Sequence, residues 1–78
     1  MSETELDLLG LKCPLPALRT ARALDALQPG DTLLVTASDP LATLDIPNVV
    51  RERGDALLDV DVNGTRSVFR IERRRPRE

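Results

Sequence analysis

Residues 56–71, ALLDVDVNGTRSVFRI, carry the clearest structural signal in this 78-residue chain. Two β-rich runs flank Asn63-Gly64, a dipeptide that is typical of a two-residue hairpin turn. This turn predicts a register in which the facing residues are Val62 with Thr65, Val60 with Ser67, Leu58 with Phe69, and Ala56 with Ile71. These pairs form one apolar face, while acidic and basic residues lie on the other face. The segment therefore predicts an antiparallel hairpin with one face in a core and the other in water.

Two more strands are predicted upstream of this hairpin, with a helix between them. Leucines alternate with acidic residues over 5–9, and residues 32–37 form a more apolar run that suits an interior strand. Between the two strands, apolar residues at helical spacing predict a helix from Ala17 to about Leu27. Its inward stripe comprises Ala17, Leu18, Ala21, Leu24 and Leu27.

A second helical segment is predicted after the second strand. Asp39 is a candidate N-cap and Pro40 suits the first helical position. Because proline disrupts a helix interior, we expect Pro47 to divide this segment into a turn over 41–44 and a helix that restarts with Asp45 as cap. Gly54 is the expected stop.

The predicted order of elements is therefore β-α-β-α-β-β. Right-handed crossovers that step the same way across the sheet place both helices on one face. The expected fold class is α/β (α+β): a two-layer sandwich with a four-stranded mixed sheet, two helices on one face and the other sheet face largely open.

Length and composition indicate one domain over residues 1–78, with an ordered core over 5–72 and an Arg-rich tail over 73–78. The chain has one Phe and no Trp or Tyr, so it offers no aromatic platform for stacking nucleic-acid bases. A single cysteine cannot form an internal disulfide, which favours a reducing, cytoplasmic location. We also see no signal peptide and no apolar stretch that could span a membrane.

The only cysteine lies in residues 10–16, GLKCPLP, where a strand is expected to end and a helix to begin. Free N–H groups at a helix N-terminus favour an anion such as a thiolate and lower a cysteine pKa. Residues 11–22 also contain three basic residues and no acidic one. The pattern therefore predicts that Cys13 is an exposed, activated thiol with a lowered pKa, rather than an inert buried one.

The surrounding residues define the candidate site. Gly10 permits the bend before the cysteine, and Pro14 and Pro16 keep the backbone beside the sulfur rigid. Lys12 and Arg19 are either solvated or assist docking and thiolate stabilisation. Since the chain has no histidine, we expect no Cys–His pair, no metal site and no bound cofactor. A lone activated thiol suits group transfer between partners that supply the other catalytic groups.

The same residues resemble a known family. Cys13-Pro14-Leu15-Pro16 is similar to the Cys-Pro-x-Pro signature of the TusA (SirA-like) sulfur-carrier family. The resemblance extends over residues 5–72 through Gln28-Pro29-Gly30-Asp31, Asp39-Pro40 and Asp45-Ile46-Pro47. It implies the β-α-β-α-β-β sandwich with the fourth strand between the second and third, and a persulfide carried on Cys13.

The resemblance also implies partners. The sulfur would come from a donor protein, a cysteine desulfurase or a rhodanese-like protein, and pass to an acceptor protein. In relatives it serves tRNA thiolation, molybdenum-cofactor maturation or sulfur oxidation, so a link to tRNA would be indirect. Asp39 and Asp45, which we interpret chiefly as helix caps, would place the second helix against the Cys13 loop. Leu15 departs from the Glu that bacterial tRNA-thiolation members often have there, and Val49-Val50 stand where some relatives have a second cysteine.

Two other functions fit the sequence. In the first, the open sheet face and the Arg-rich tail bind a protein or RNA and the thiol is incidental. In the second, Cys13 is a redox sensor that forms a mixed disulfide with a partner.

Overall fold

Six elements make up the chain in the computed structural model, which describes residues 2–76. The strands are β1 (Glu3–Leu8), β2 (Thr32–Ala37), β3 (Ala56–Asn63) and β4 (Arg66–Glu72), and the helices are α1 (Leu15–Asp25) and α2 (Ala42–Arg53). The sheet order is β1-β2-β4-β3, with β1 parallel to β2 and the other two pairs antiparallel. The predicted fold class, element order and inserted fourth strand are confirmed.

The core lies between the sheet and the helices. On β2, alternate residues Leu33, Val35 and Ala37 are fully buried, as expected for an interior strand with one covered face. They lie opposite Ile71, Phe69 and Ser67 of β4. The helices complete this core with Leu24, Ile46 and Val50, among others.

The hairpin turn lies one residue later than predicted. Asn63 pairs with Arg66, so Gly64 and Thr65 form the two-residue loop. A turn centred on Asn63-Gly64 would need a positive φ at Asn63, yet every described residue with positive φ is a glycine, including Gly64 at φ +64. A bulge near Leu58 shifts the register again.

The predicted apolar face of the hairpin is therefore only partly buried. On this face Ser67, Phe69 and Ile71 of β4 are buried, whereas Leu58, Val60 and Val62 of β3 are exposed. Leu57, which was predicted on the opposite face, packs against the core after the bulge. The prediction that this whole face lies in the core is wrong, because the helix layer does not extend over the end of β3.

Helix α2 is continuous, so the predicted break at Pro47 is wrong. Pro47 lies in the second turn, where its missing N–H costs only the bond to the carbonyl of Thr43. Asp45 is inside the first turn and is not a helix cap. Leu41 holds the N-cap position and the helix begins at Ala42, so the predictions of Asp39 as N-cap and Pro40 as first helical residue are also wrong. Gly54 ends the helix in the left-handed conformation at φ +82, as predicted.

Helix α1 begins two residues before the predicted start, and its inward face differs from the prediction. Pro16, Thr20 and Leu24 are buried, whereas Leu18 is exposed. Within residues 2–76, neither α1 nor α2 is long and apolar enough to cross a membrane.

Arg73, which the sequence assigned to the tail, is part of the packed domain. Its side chain is buried at 5% exposure. Its guanidinium donates hydrogen bonds to the carbonyl oxygens of Leu24, Asp25 and Leu27 at 2.8–3.0 Å, where α1 ends. Arg73 therefore caps the C-terminal end of α1. The last two residues of the predicted tail, 77 and 78, lie outside the described residues.

Candidate functional site

The candidate site lies on the loop between β1 and α1, at the end of the sheet where the parallel strands β1 and β2 both terminate. Gly10 makes the turn with φ +83, a conformation that a residue with a side chain rarely adopts. Its N–H donates a hydrogen bond to Oγ of Ser38 at 2.8 Å. The loop is thereby tied to the segment that follows β2, and this brings Cys13 to the start of α2.

Two carboxylates from this segment hold Cys13 in place. The backbone N–H of Cys13 donates a hydrogen bond to Asp39 Oδ2, and its thiol donates one to Asp45 Oδ2 at 3.0 Å. Asp39 Oδ1 also accepts the N–H of Leu41 at 3.0 Å, so one side chain links the thiol loop to the beginning of α2. Cys13 itself is exposed to solvent.

The Asp39 carboxylate is held in its ionised form. Hydrogen bonds from the backbone N–H groups of Leu41 and Cys13 lower the pKa of Asp39, and the positive charge of Lys12 acts in the same direction. Asp39 is therefore an anionic anchor for the loop. The start of α2 lies against the loop, where Asp39 bonds to both segments and Asp45 bonds to the thiol and does not cap the helix.

The pKa of Cys13 is raised, so the predicted lowering is wrong. The hydrogen bond that the thiol donates to Asp45 is the largest cause, followed by desolvation and by the negative charges of Asp45 and Asp39. A carboxylate next to a thiol favours the protonated form. At neutral pH the free site therefore holds a neutral thiol whose proton is directed at Asp45.

The helix N-terminus does not overcome this effect. Pro14 occupies the N-cap and Pro16 the second helical position, and proline has no N–H. The first N–H of the helix, that of Leu15, is already bonded to the carbonyl of Lys12 at 2.9 Å. Few free donors are left to stabilise a thiolate. The Cys13-Pro14 peptide bond is cis.

The predicted basic residues do not bind the sulfur. Lys12 and Arg19 are exposed, and neither side chain makes a hydrogen bond or ion pair among residues 2–76. Lys12 lines a surface concavity of about 330 Å³ with Gly10, Leu11, Ser38, Asp39 and Pro40. Both side chains are therefore free to contact a partner.

Exposed leucines around the thiol were missed in the sequence. Leu15 and Leu18 lie on the first turns of α1, and Leu41 and Leu44 lie at the start of α2. Both helices begin at the thiol end of the molecule, so these apolar side chains flank Cys13. The positions of these leucines in the sequence gave no indication that they are exposed. Leu18 even belongs to the inward stripe that was predicted for α1.

Comparison with known proteins shows which family the chain resembles. Residues 4–73 match the family model described as sulfurtransferase TusA. Two similar proteins, from Neisseria meningitidis serogroups A and B, are each named "Putative sulfur carrier protein". Each is 48% identical to this chain over 59 residues, which cover 76% of this chain and 80% of the relative.

Proposed function

Since the chain belongs to the sulfurtransferase TusA family, we propose that it carries sulfur as a persulfide on Cys13 and passes it between two partner proteins. The observation that carries this proposal is the exposed thiol that donates a hydrogen bond to Asp45 at 3.0 Å. The sulfur is reachable from solvent, and a proton acceptor is already in contact with it. A redox-sensor function is less favoured, because oxidant-sensing cysteines have a lowered pKa.

The proposed transfer requires no external oxidant or reductant. The Cys13 sulfur attacks the outer sulfur of a persulfide on the donor, which forms a new S–S bond and breaks the donor's own S–S bond. The thiol proton moves to Asp45 Oδ2 as the new bond forms, and Asp45 returns it to the departing donor thiolate. The reverse sequence at an acceptor thiol regenerates Cys13 as a thiol.

The partners in this proposal are proteins. The donor is a cysteine desulfurase or a rhodanese-like protein, and the acceptor carries its own reactive thiol, so any link to tRNA is indirect. The leucines that flank Cys13 and the free cations of Lys12 and Arg19 are suited to contact such partners. Because free protein thiols are needed at each step, we place the relay in a reducing, cytosolic compartment.

The direct test is sulfur uptake by the purified chain. The reduced protein is mixed with a cysteine desulfurase and cysteine, and its intact mass is measured. We expect the intact mass to increase by the mass of one sulfur atom for each sulfur that is transferred. The added mass should be located on the peptide that contains Cys13, and dithiothreitol should remove it. The proposal is wrong if the mass stays unchanged with cysteine desulfurase, rhodanese and thiosulfate donors alike.

Replacing Asp45 with asparagine should separate thiol ionisation from sulfur transfer. Asp45→Asn keeps the shape but removes the charge that favours the protonated thiol. The pKa of Cys13 should fall, and its alkylation by iodoacetamide at pH 7 should become faster, about tenfold for each unit of pKa. Sulfur uptake should nevertheless become slower, by at least about tenfold, because the proton acceptor is lost.

Glu52→Gln is the matched control, since it removes one exposed carboxylate from the same helix. Glu52→Gln should change neither the rate of Cys13 alkylation nor the rate of sulfur uptake. Unchanged alkylation in Asp45→Asn would show that the hydrogen bond does not govern ionisation. Uptake that rises in parallel with alkylation would rule out the proton-transfer role of Asp45.

A further inference from the structure

The outer strand β3 presents an unusual free edge. Among residues 2–76, β3 pairs only with β4, so its other edge has no strand partner. Val60 and Val62 lie opposite the buried residues Phe69 and Ser67, on the side of the sheet that carries the helices. They are nevertheless 39% and 57% exposed. The helix layer therefore leaves an apolar row uncovered at the end of β3.

An acidic row lies on the opposite face of the same strand. Asp59 and Asp61 alternate with the two valines, so they point to the open face of the sheet. Arg70 lies directly opposite Asp59 but forms its ion pair with Glu3. Neither aspartate has an ion-pair partner within the described part of the chain.

The other edge of the sheet does not share this arrangement. Strand β1 also carries acidic residues on the open face, including Glu5 and Asp7. Its apolar residue Leu8, however, is only 1% exposed, and Leu6 packs against the core. Of the two edges, only that of β3 has an apolar row and an acidic row that are both accessible.

We propose that the free edge of β3 binds an extended segment of a partner protein in which apolar and basic residues alternate. Backbone hydrogen bonds would add this segment to the sheet as a fifth strand. Its apolar side chains would pack beside Val60 and Val62, and its basic side chains would lie beside Asp59 and Asp61, where opposite charges stabilise a cross-strand pair.

Charge argues against a second copy of this chain as the occupant. A two-fold antiparallel pairing centred on residue 59, 60 or 61 places an aspartate of one copy directly opposite an aspartate of the other. Like charges in facing positions destabilise a strand pair. A basic segment avoids this repulsion and neutralises both aspartates.

The position of β3 relates this edge to the thiol end of the molecule. β3 is antiparallel to β4, which is antiparallel to β2, so β1, β2 and β3 run in the same direction. The exposed valines therefore lie towards the end of the sheet at which Cys13 follows β1. The proposed binding edge does not use the thiol, so it stands independently of sulfur transfer.

The test uses capped synthetic peptides. One alternates lysine and valine, a second has glutamate in place of lysine, and a third is the lysine peptide with alternate backbone amides methylated. We expect the lysine peptide to bind and to slow amide hydrogen exchange in residues 58–63. The other two peptides should not bind, because one has the wrong charge and the other cannot form the ladder of backbone hydrogen bonds.

Charge reversal supplies the second half of the test. Asp59→Lys combined with Asp61→Lys should weaken binding of the lysine peptide at least about tenfold and allow the glutamate peptide to bind. Glu5→Lys combined with Asp7→Lys on β1 is the matched control. This variant should still bind the lysine peptide and not the glutamate peptide. Cys13→Ser should also bind normally.

Three results would overturn the proposal. The lysine peptide could fail to bind, or the methylated peptide could bind equally well. Alternatively, amide hydrogen exchange in β3 could become slower as the protein concentration rises in the absence of peptide. The last result would identify a second copy as the occupant.

Discussion

Replacing Cys13 with serine is expected to abolish sulfur uptake. A serine hydroxyl is not ionised near neutral pH, and it cannot form the S–S bond that holds the carried sulfur. Cys13 is also the only cysteine in the chain, so no second thiol can replace it. The serine can still donate a hydrogen bond to Asp45, and the position is exposed, so stability should change by less than about 0.5 kcal/mol. Intact-mass measurement after incubation with the sulfur donor checks the loss.

Cys13→Ala provides the comparison, because it removes the hydrogen bond to Asp45 as well as the sulfur. Both variants should lack the added mass, and their urea unfolding curves should show that the fold is retained. Mass that persists in Cys13→Ser would mean that sulfur is held elsewhere. Mass that survives dithiothreitol in the wild-type chain would mean that it is not a persulfide.

Local patterns predicted the fold well because they encode it directly. The apolar run over 32–37 forms the interior strand β2, and Gly54 takes the left-handed conformation that a helix end favours. The turn at Asn63-Gly64 was located within one residue. Its register was missed because Gly64, and not Asn63, has the positive φ.

The long-range contacts could not be predicted in the same way. Arg73 resembles the other arginines that follow it, and only the end of α1 gives its guanidinium three carbonyl acceptors. Pro47 suggested a broken helix, so Asp45 was interpreted as a cap. In the continuous helix that forms, Asp45 is in the first turn and reaches the thiol instead.

The pKa of Cys13 shows why local charge is a weak guide to a site. The nearest charged residue in sequence, Lys12, is basic, but its side chain is exposed to solvent. The groups that contact Cys13 are carboxylates 26 and 32 residues later in the chain. A charge in hydrogen-bond contact outweighs more distant charges that water screens. The resting thiol is therefore protonated.

A second cluster of charged side chains, Asp25, Arg53 and Asp55, lies at the C-terminal end of α2. The side chain of Asp55 is fully buried, and that of Arg53 is nearly so. Asp55 accepts the Nε–H of Arg53 at 2.9 Å and the backbone N–H groups of Arg74 and Arg75 at 2.8 and 2.7 Å. Arg53 also pairs with Asp25 at 2.7 Å. Asp55 therefore joins the end of α2 to the segment that follows β4.

Asp55→Asn should destabilise the chain by about 3 kcal/mol, because the nearly buried Arg53 guanidinium would keep only the exposed Asp25 as an ion-pair partner among the described residues. Burial raises the pKa of Asp55, but the hydrogen bonds from Arg75, Arg74 and Arg53 outweigh it, so the net pKa is lowered. Stability from a lowered pKa is present above the unfolded value, about 4, and is lost as pH falls through the folded value. Urea unfolding at several pH values measures both effects.

Asp61→Asn is the matched control, since this aspartate is exposed on β3 and makes no ion pair within residues 2–76. It should change the free energy of unfolding by less than about 0.5 kcal/mol. The difference between wild type and Asp55→Asn should be largest near neutral pH and should shrink at acidic pH, as wild-type Asp55 becomes protonated. A difference that is equally large at every pH would attribute the loss to packing, and no difference near pH 7 would show that the cluster does not stabilise the fold.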